Sequence, residues 1–505
     1  MSTYLKLFET HTQYETFIGG GGNTPFVKPN VSYCTEENEV HYNPFSWADE
    51  YLTFVALEDG TFTFAPSVGN VISYSIDNGH TWSDLAADTN TPTVTRGNKV
   101  LWRGEMTPTS YYGVGTFSST GRFNVQGNVM SLLFGADFKG QTDLTGKNYA
   151  FYNLFSSNSN LVNVQNLSLS ATTLAYSCYS GMFYGCTSLK TAPELPATTL
   201  ATRCYESMFN GCTSLTTAPE LPVTTLASYC YSQMFYGCTS LVNAPELPVT
   251  TLASYCYNEM FRGCTSLVTA PTLPATKLVD YCYQYMFYGC TSLKTAPELP
   301  ATTLANYCYN GMFNGCTSLT TAPELPVTTL ASYCYQYMFR GCTSLVTAPE
   351  LPATKLANYC YSQMFEGCTS LTTAPTLPAT TLADYCYTYM FNGCTNLVTA
   401  PELPATKLAN YCYNYMFNGC TSLETAPTLP ATKLANYCYN YMFDGCSSLN
   451  YIKAMFTTTP STAYTNNWVN GVASTGTFVK NASATWDVTG VNGIPSGWTK
   501  ETATV

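Results

Sequence analysis

The strongest constraint on the fold is a cysteine pattern that repeats every 26 residues. The segment 409–423 reads ANYCYNYMFNGCTSL, and variants of this phrase occur eleven times between residues 171 and 456. Two cysteine series, beginning at Cys178 and Cys186, each advance by 26 residues without an insertion. A fixed period of about 20 to 50 residues is typical of a solenoid, in which each repeat packs only on its neighbours. We therefore predict eleven stacked coils over 171–456.

One coil, 301–326, reads ATTLANYCYNGMFNGCTSLTTAPELP. Its apolar residues are spaced by three and four, which predicts one face of a short helix. Thr302 or Thr303 would cap this helix, and Gly315 would end it in a left-handed conformation. The following segment contains two prolines, which lack ladder donors, so we predict a short or irregular strand. The residues expected in the core are Cys308, Met312, Phe313, Cys316 and Leu319.

The repeated cysteines are predicted to be reduced and buried, because free cysteine is among the most buried residue types. The N-terminal sequence lacks an unbroken apolar signal segment, so we expect either maturation in the cytoplasm, where disulfides are rare, or a protein whose signal segment has been removed. Disulfides remain an alternative. Zinc is disfavoured, because Cys-x7-Cys is not a zinc-ligand spacing and no histidine lies between residues 171 and 456. We predict neither a metal nor a cofactor.

The phrase MFNGCTSLTTAPELP (312–326) resembles the BspA-like leucine-rich repeats of gut and oral Bacteroidetes and of their phages. The resemblance covers about residues 130 to 505 and includes a degenerate first coil. In that coil Leu154 and Phe155 match Met182 and Phe183. The resemblance implies an α/β-type leucine-rich-repeat solenoid. Repeats of the family are usually a few residues shorter, with Ala-Phe where Met-Phe stands here, so we expect a different coil geometry.

Residues 49–130 read as all-β and predict a small β-sandwich before the solenoid. YLTFVALEDGTFTF has two alternating runs around Asp59-Gly60, a hairpin signal. SIDNGHTW predicts a second turn, and it resembles the S-x-D-x-G-x-T-W box of sialidase propeller blades. The box occurs once and no pair of catalytic carboxylates accompanies it, so we expect a braced hairpin, not a glycosidase. The bracing residues would be Ser75, Asp77, Gly79 and Trp82.

The N-terminal segment is expected to attach the protein to a virion or to another surface structural protein. It combines one hairpin signal with a glycine joint at residues 19–25, and it resembles N-terminal segments of structural proteins of Bacteroidetes phages. The predicted organisation is an attachment segment (1–48), the β-sandwich (49–130), a degenerate capping coil (131–170), eleven coils (171–456) and a C-terminal cap (457–505).

Charge and composition disfavour several classes of function. The formal net charge is −11 with no basic run, so a nucleic-acid backbone would be repelled. No stretch of about 20 apolar residues is present, so we expect no membrane insertion. The coils contain no histidine and show no nucleophile–base pairing, so we predict that the protein is not an enzyme. Self-association into a homo-oligomer stays open.

The surface of the coils suggests adhesion. One variable column, Ser180, Glu206, Asn258, Gln284 and Thr388, is expected to face solvent. A tyrosine column that varies between coils is also expected to be exposed and to form an amphipathic strip for sugar rings or a protein surface. A solvated face without a ligand is the alternative. The candidate ligand-binding residues are Tyr285, Tyr337, Tyr389, Tyr415 and Tyr441.

These features predict a non-enzymatic protein that binds a host cell-surface protein or glycan through its repeats. The resemblance implies a head-fibre, tail-fibre or decoration protein of a crAss-like phage of Bacteroidetes, made in the host cytoplasm and carried on the virion surface. A bacterial cell-surface adhesin of the BspA-like type is the alternative.

Overall fold

The computed structural model describes residues 47–110 and 112–503. The predicted attachment segment, residues 1–48, lies outside the described residues except for its last two positions. Strands occur near both ends of the described chain, and the regular coils lie between them. The strands are β1 (Leu52–Ala56), β2 (Phe62–Pro66), β3 (Ile72–Ser75), β4 (Ser83–Leu85), β5 (Lys99–Arg103), β6 (Gly115–Ser119), β7 (Phe123–Asn128), β8 (Leu161–Ser168), β9 (Tyr451–Ala454), β10 (Thr477–Lys480) and β11 (Thr499–Thr502).

Helical structure is short in the described residues. The helices are α1 (Ser131–Phe134) and the 3-10 helices Trp47–Asp49 and Gly135–Asp137.

The N-terminal strands form two sheets of unequal size. One sheet has six strands in the order β4-β3-β5-β1-β7-β8, and the other pairs β2 with β6. Phe54 of β1 contacts Phe62 of β2 and Phe117 of β6, with ring centroids 5.2 and 4.8 Å apart. The hairpin predicted at Asp59-Gly60 is wrong, because β1 and β2 belong to different sheets and face each other across this aromatic core. The second predicted turn is correct, since β3 pairs antiparallel with β4.

The sheets and the coils share one hydrophobic core, which runs without a break from Leu52 to Trp498. Strand β8 belongs to the first coil and pairs parallel with β7 of the six-stranded sheet. Phe155 joins the two parts, since its ring lies 5.8 Å from that of Phe54 and stacks on Phe183 at 5.6 Å. The match of Phe155 with Phe183 is thus confirmed, and Phe155 begins a column of stacked phenylalanines through the solenoid.

Stacked 26-residue coils are confirmed, but the helix predicted in each coil is wrong. Residues 171–456, all of them described, contain no α-helix. Instead, backbone amides donate alternately to the next coil and to their own coil. Tyr307 N donates to Ser332 O of the next coil at 3.1 Å, whereas Asn310 N donates back to Tyr307 O at 3.2 Å. The α/β part of the predicted fold class therefore does not apply to the coils.

Left-handed residues at every fourth position explain why no helix forms. Tyr307, Gly311 and Gly315 have φ values of 57, 59 and 73°. A residue in this region reverses the direction of the next peptide, so a helix cannot continue past it. The apolar spacing belongs to a turn that repeats every four residues, which brings Cys308, Met312 and Cys316 to the core. The predicted left-handed Gly315 is confirmed, but the predicted threonine cap is wrong, because Thr302 N bonds Thr276 O of the preceding coil.

Proline limits the strands of the regular coils to single residues. Thr295 and Thr321 form an isolated parallel bridge, and the chain reaches Pro297 two residues after Thr295. Longer parallel strands, β8 and β9, occur only where the sequence lacks these prolines. The prediction of a short strand is therefore confirmed. The strand is short because proline has no backbone N–H to donate to the neighbouring strand.

Aromatic side chains close the C-terminal end. Strands β9, β10 and β11 form a parallel sheet. An isolated parallel bridge between Thr425 and Tyr451 connects this sheet to the single-residue bridges of the coils. Trp468, Trp486 and Trp498 cover the last coil, and each indole N–H donates to a backbone carbonyl at 2.7 to 3.1 Å. This satisfies their polar groups while their rings shield the core from water.

Candidate binding face

The repeated cysteines line the core. All twenty-two are buried free thiols. Cys316 Sγ donates to Phe287 O at 3.1 Å, and burial raises the pKa of the Cys316 thiol to about 12. A protonated, enclosed thiol is a poor nucleophile and a poor metal ligand. The predicted core residues Cys308, Met312, Phe313, Cys316 and Leu319 are all fully buried.

Nine stacked tyrosines run along the outside of the coils, and we call them the tyrosine ladder. Their ring centroids are 4.3 to 4.7 Å apart, and the rings are nearly parallel. The guanidinium of Arg203 covers the first ring, 4.1 Å from its centroid. The ladder consists of Tyr229, Tyr255, Tyr281, Tyr307, Tyr333, Tyr359, Tyr385, Tyr411 and Tyr437.

The five predicted ligand-binding tyrosines lie four residues after ladder positions and are half-buried, which is less exposure than we expected. Three of them form a second stack, since the rings of Tyr389, Tyr415 and Tyr441 are 4.3 Å apart. The ring of Tyr285 lies over Gly311, where a Cβ would clash with it. Burial is the main reason that the pKa of Tyr285 is raised. The five are Tyr285, Tyr337, Tyr389, Tyr415 and Tyr441.

The polar column between these two rows is largely buried, so the prediction that it faces solvent is wrong. Ser180, Asn258 and Thr388 are buried, while Glu206 and Gln284 are half-buried. Because the turn repeats every four residues, this column points between the two tyrosine rows and not outward. Its side chains instead bond from coil to coil at 3.0 to 3.3 Å, through Ser232, Asn258, Gln284, Asn310 and Gln336.

All three arginines of the coils lie beside the tyrosines. Each forms an ion pair, at 2.7 Å for Arg203–Glu206, 3.1 Å for Arg262–Glu259 and 2.9 Å for Arg340–Glu366. Arg262 also lies 4.4 Å from the ring centroid of Tyr288. We call the tyrosine ladder, the five half-buried tyrosines and these ion pairs the tyrosine face.

The tyrosine face ends in a groove of about 630 Å³ at its N-terminal side. Ser177 stands at the ladder position there, and Gly181 stands at the position of the five half-buried tyrosines. Tyrosine side chains line the groove, and Arg203 and Glu206 bound it. Of the groove residues, Ser180 and Glu206 belong to the column that was expected to face solvent, and none was predicted to bind a ligand. The signal was present, because Ser177 and Arg203 are the two coil positions where the ladder column lacks a tyrosine.

The S-x-D-x-G-x-T-W segment braces the β3–β4 hairpin. Ser75 Oγ bonds Asp77 Oδ1 at 2.7 Å and accepts from Gly79 N at 2.8 Å. Hydrogen bonds from Thr81 hold the pKa of Asp77 well below its usual value. Trp82 contacts Tyr51, with ring centroids 5.0 Å apart. These interactions stay within the sheet and give the turn its shape.

Two further features are absent from residues 47–110 and 112–503. This part of the chain contains no group of histidine, cysteine or carboxylate side chains arranged to hold a metal ion. It also contains no helix with the length and apolar character needed to cross a bilayer.

One comparison, with protein-family models, agrees with the repeat. A family model described as "BspA type Leucine rich repeat region" matches in six copies over residues 147–294, 231–371 and 332–470. One similar solved structure is titled "Crystal structure of TLR13-ssRNA13 complex". It is 15% identical, with a TM-score of 0.20, and the match covers 64% of this chain and 38% of that chain. No curated protein matches the sequence significantly.

Proposed function

The chain belongs to the BspA-type leucine-rich-repeat family, and on this premise we propose that it is a non-enzymatic adhesion protein that binds through its tyrosine face. The observation that carries the proposal is the one-sided chemistry of the coils. The tyrosine ladder, the five half-buried tyrosines and all three arginines of the coils lie along one face. Tyrosine and arginine are enriched at the centres of protein interfaces, where they contribute most of the binding energy.

The proposed ligand is a repetitive host surface, either a glycan or a cell-surface protein. Identical coils present similar rings at a fixed spacing, so a repetitive ligand can engage several coils at once, which raises the effective concentration. The coils carry 10 basic and 14 acidic residues, so their net charge is small. Binding is therefore expected to depend little on salt concentration.

The proposed location is the surface of a phage virion, with attachment through residues 1–48 to a virion structural protein. The resemblance of the repeats and of the N-terminal segment to proteins of Bacteroidetes phages supports this location. The second candidate is a bacterial cell-surface adhesin, which the family itself favours. Mass spectrometry and cryo-microscopy of purified particles test the location, and recovery of the protein only in bacterial envelope fractions would select the second candidate.

Five simultaneous substitutions test the tyrosine face. We expect the Tyr→Gln changes at the five half-buried tyrosines to weaken adhesion to host cells or to a glycan array at least tenfold. Glutamine is chosen because Gln233 and Gln363 already occupy this column. The matched control replaces exposed valines outside the face, at Val242, Val268, Val346 and Val398, with alanine. Unchanged adhesion by the tyrosine variant, with an intact circular dichroism spectrum, would rule out the proposal.

Coil number provides an independent test. Removal of two coils deletes 52 residues and preserves the repeat, so the solenoid is expected to close up without a change of register. Adhesion should fall with each pair removed, because fewer patches can bind at once. An affinity that does not change with coil number would contradict multivalent binding.

A further inference from the structure

We propose that the groove at the N-terminal end of the tyrosine face is a binding site for one neutral sugar ring. The inference rests on the proposed function for its ligand class, since the coils are proposed to bind glycans or proteins. It adds a specific position in the molecule. It also names a ligand of one sugar ring, whereas the tyrosine face is proposed to bind a repetitive ligand.

The groove exists because the tyrosine ladder stops. Arg203 replaces the ring of the second regular coil, and Ser177 replaces the ring of the first. Gly181 leaves further space, and a Cβ at this position would clash with Asn153 Oδ1. The resulting volume of about 630 Å³ lies within the usual size range of small-ligand sites.

Aromatic rings form the walls of the groove. Tyr176 and Tyr184 are 37% and 46% exposed, which places them among the most exposed tyrosines of the coils. Tyr149 meets Tyr176 edge-on, with ring centroids 5.3 Å apart. A ring with one apolar face can pack against such walls while its hydroxyls remain free to bond elsewhere. A pyranose has this character, because its C–H bonds lie on its faces and its hydroxyls at its edge.

The floor of the groove holds unused hydrogen-bonding groups. Within the described part of the chain, the side chains of Asn153, Ser177 and Ser180 make no hydrogen bond to another residue. In the column of Ser180, the side chains further along the solenoid are bonded from coil to coil, as at Asn310 and Gln336. Ser177 and Ser180 are buried and Asn153 is half-buried. Because buried polar groups are nearly always bonded, these groups are suited to water or to a hydroxylated ligand.

The charged groups favour a neutral ligand. Both oxygens of Glu206 accept from Arg203 Nη1, at 2.7 and 2.8 Å, so the pair carries no net charge. Arg203 is also held against the ring of Tyr229. A carboxylate and a guanidinium side by side can accept from one sugar hydroxyl and donate to its neighbour. A phosphorylated or carboxylated ligand would have to break this pair, so the geometry favours an uncharged sugar.

Binding of simple glycosides to the full chain tests the site. The probes are the methyl glycosides of glucose, galactose, mannose and N-acetylglucosamine, followed by ligand-observed NMR. At least one is expected to bind, and the double variant R203Q/E206Q should weaken it at least tenfold. The control is K500Q/D487N, which removes an ion pair of 2.8 Å at the C-terminal end of the chain, outside both the groove and the tyrosine face. A second comparison uses Y176A, which should weaken binding, and Y451A, which changes a half-buried tyrosine of β9 outside the tyrosine face and should not.

The outcomes separate this inference from the proposed function. Loss of binding in R203Q/E206Q and Y176A, with binding retained in both controls, supports the groove. Binding that is equal in all four variants, or no binding by any probe, overturns it. Neither result affects the tyrosine-face test, because that test measures adhesion of variants whose groove is intact. If the Tyr→Gln variant loses adhesion and no glycoside binds in the groove, the proposed function stays in place.

Discussion

At the scale of single residues, the two cysteines of a coil have different roles. Cys316 Sγ donates to Phe287 O of the preceding coil, and the equivalent cysteine does so in each of the eleven coils. Cys308 is equally buried, but within the described residues its thiol donates to no carbonyl. The series that contains Cys186 and Cys316 therefore links neighbouring coils. The series that contains Cys178 and Cys308 mainly fills space, with one long hydrogen bond of 3.9 Å, from Cys438 Sγ to Tyr464 O, at its end. The sequence alone predicted burial for both cysteines. It could not show which thiol is hydrogen-bonded, because the acceptor carbonyl lies 29 residues away.

This difference gives a residue-scale prediction. We expect Cys316→Ala to lower the free energy of unfolding by about 0.5–1 kcal/mol more than Cys308→Ala, because only Cys316→Ala removes a hydrogen bond. Both changes remove the same sulfur atom, so each serves as the other's control for lost packing. Urea unfolding monitored by circular dichroism measures the difference. Equal losses in the two variants would mean that the thiol bond contributes nothing.

At the scale of structural elements, the four-residue turn explains both the successes and the errors of the sequence analysis. Core positions such as Met312 and Phe313 could be predicted, since apolar spacings of three and four place them on one face in a helix and in this turn alike. The helix could not be excluded, because the competing hydrogen bonds run to the next coil. The burial of Asn258 was missed for the same reason. In a four-residue repeat its column lies between the tyrosine rows, whereas a helix would have rotated it outward.

The stacked rings of the ladder give an element-scale prediction. Tyr333 has neighbours on both sides, with ring centroids 4.3 and 4.6 Å away, whereas Tyr437 has one neighbour in the ladder at 4.6 Å. Each aromatic pair is worth about 0.5–1.5 kcal/mol beyond area burial. We therefore expect Tyr333→Ala to lower the free energy of unfolding about twice as much as Tyr437→Ala. A larger loss for Tyr437→Ala would show that stacking does not hold the ladder together.

At the scale of the whole molecule, the ends differ from the middle because their sequences lack the coil prolines. Strand β8 joins the first coil to the six-stranded sheet, and β9 begins the C-terminal sheet. The repeat period predicted the number and stacking of the coils, since each coil buries its apolar face only against its neighbours. The fusion of the N-terminal sheets with the solenoid was not predictable, because it depends on contacts such as Phe54 with Phe155, about 100 residues apart.

Alkaline pH should unfold the solenoid cooperatively. Burial raises the pKa of all twenty-two coil cysteines, to about 12 for Cys178 and Cys316, above the ordinary value near 8.5. Above about pH 8.5 the unfolded chain loses thiol protons that the folded chain retains. Stability is therefore fully present below that pH and falls as the pH rises towards 12.

The size of this effect makes the transition sharp. Each thiol removes about 1.4 kcal/mol of stability per pH unit in this range. Twenty-two thiols together remove on the order of 30 kcal/mol per unit, more than the usual 5–15 kcal/mol of a folded domain. We expect the circular dichroism signal to disappear within about one to two pH units above pH 9, in the presence of a reductant. Thiolate absorbance should rise in the same step, since the thiols reach water only when the coils separate. A rise in thiolate absorbance near pH 9 with the circular dichroism spectrum intact would show that the cysteines are accessible in the folded chain and do not form its core.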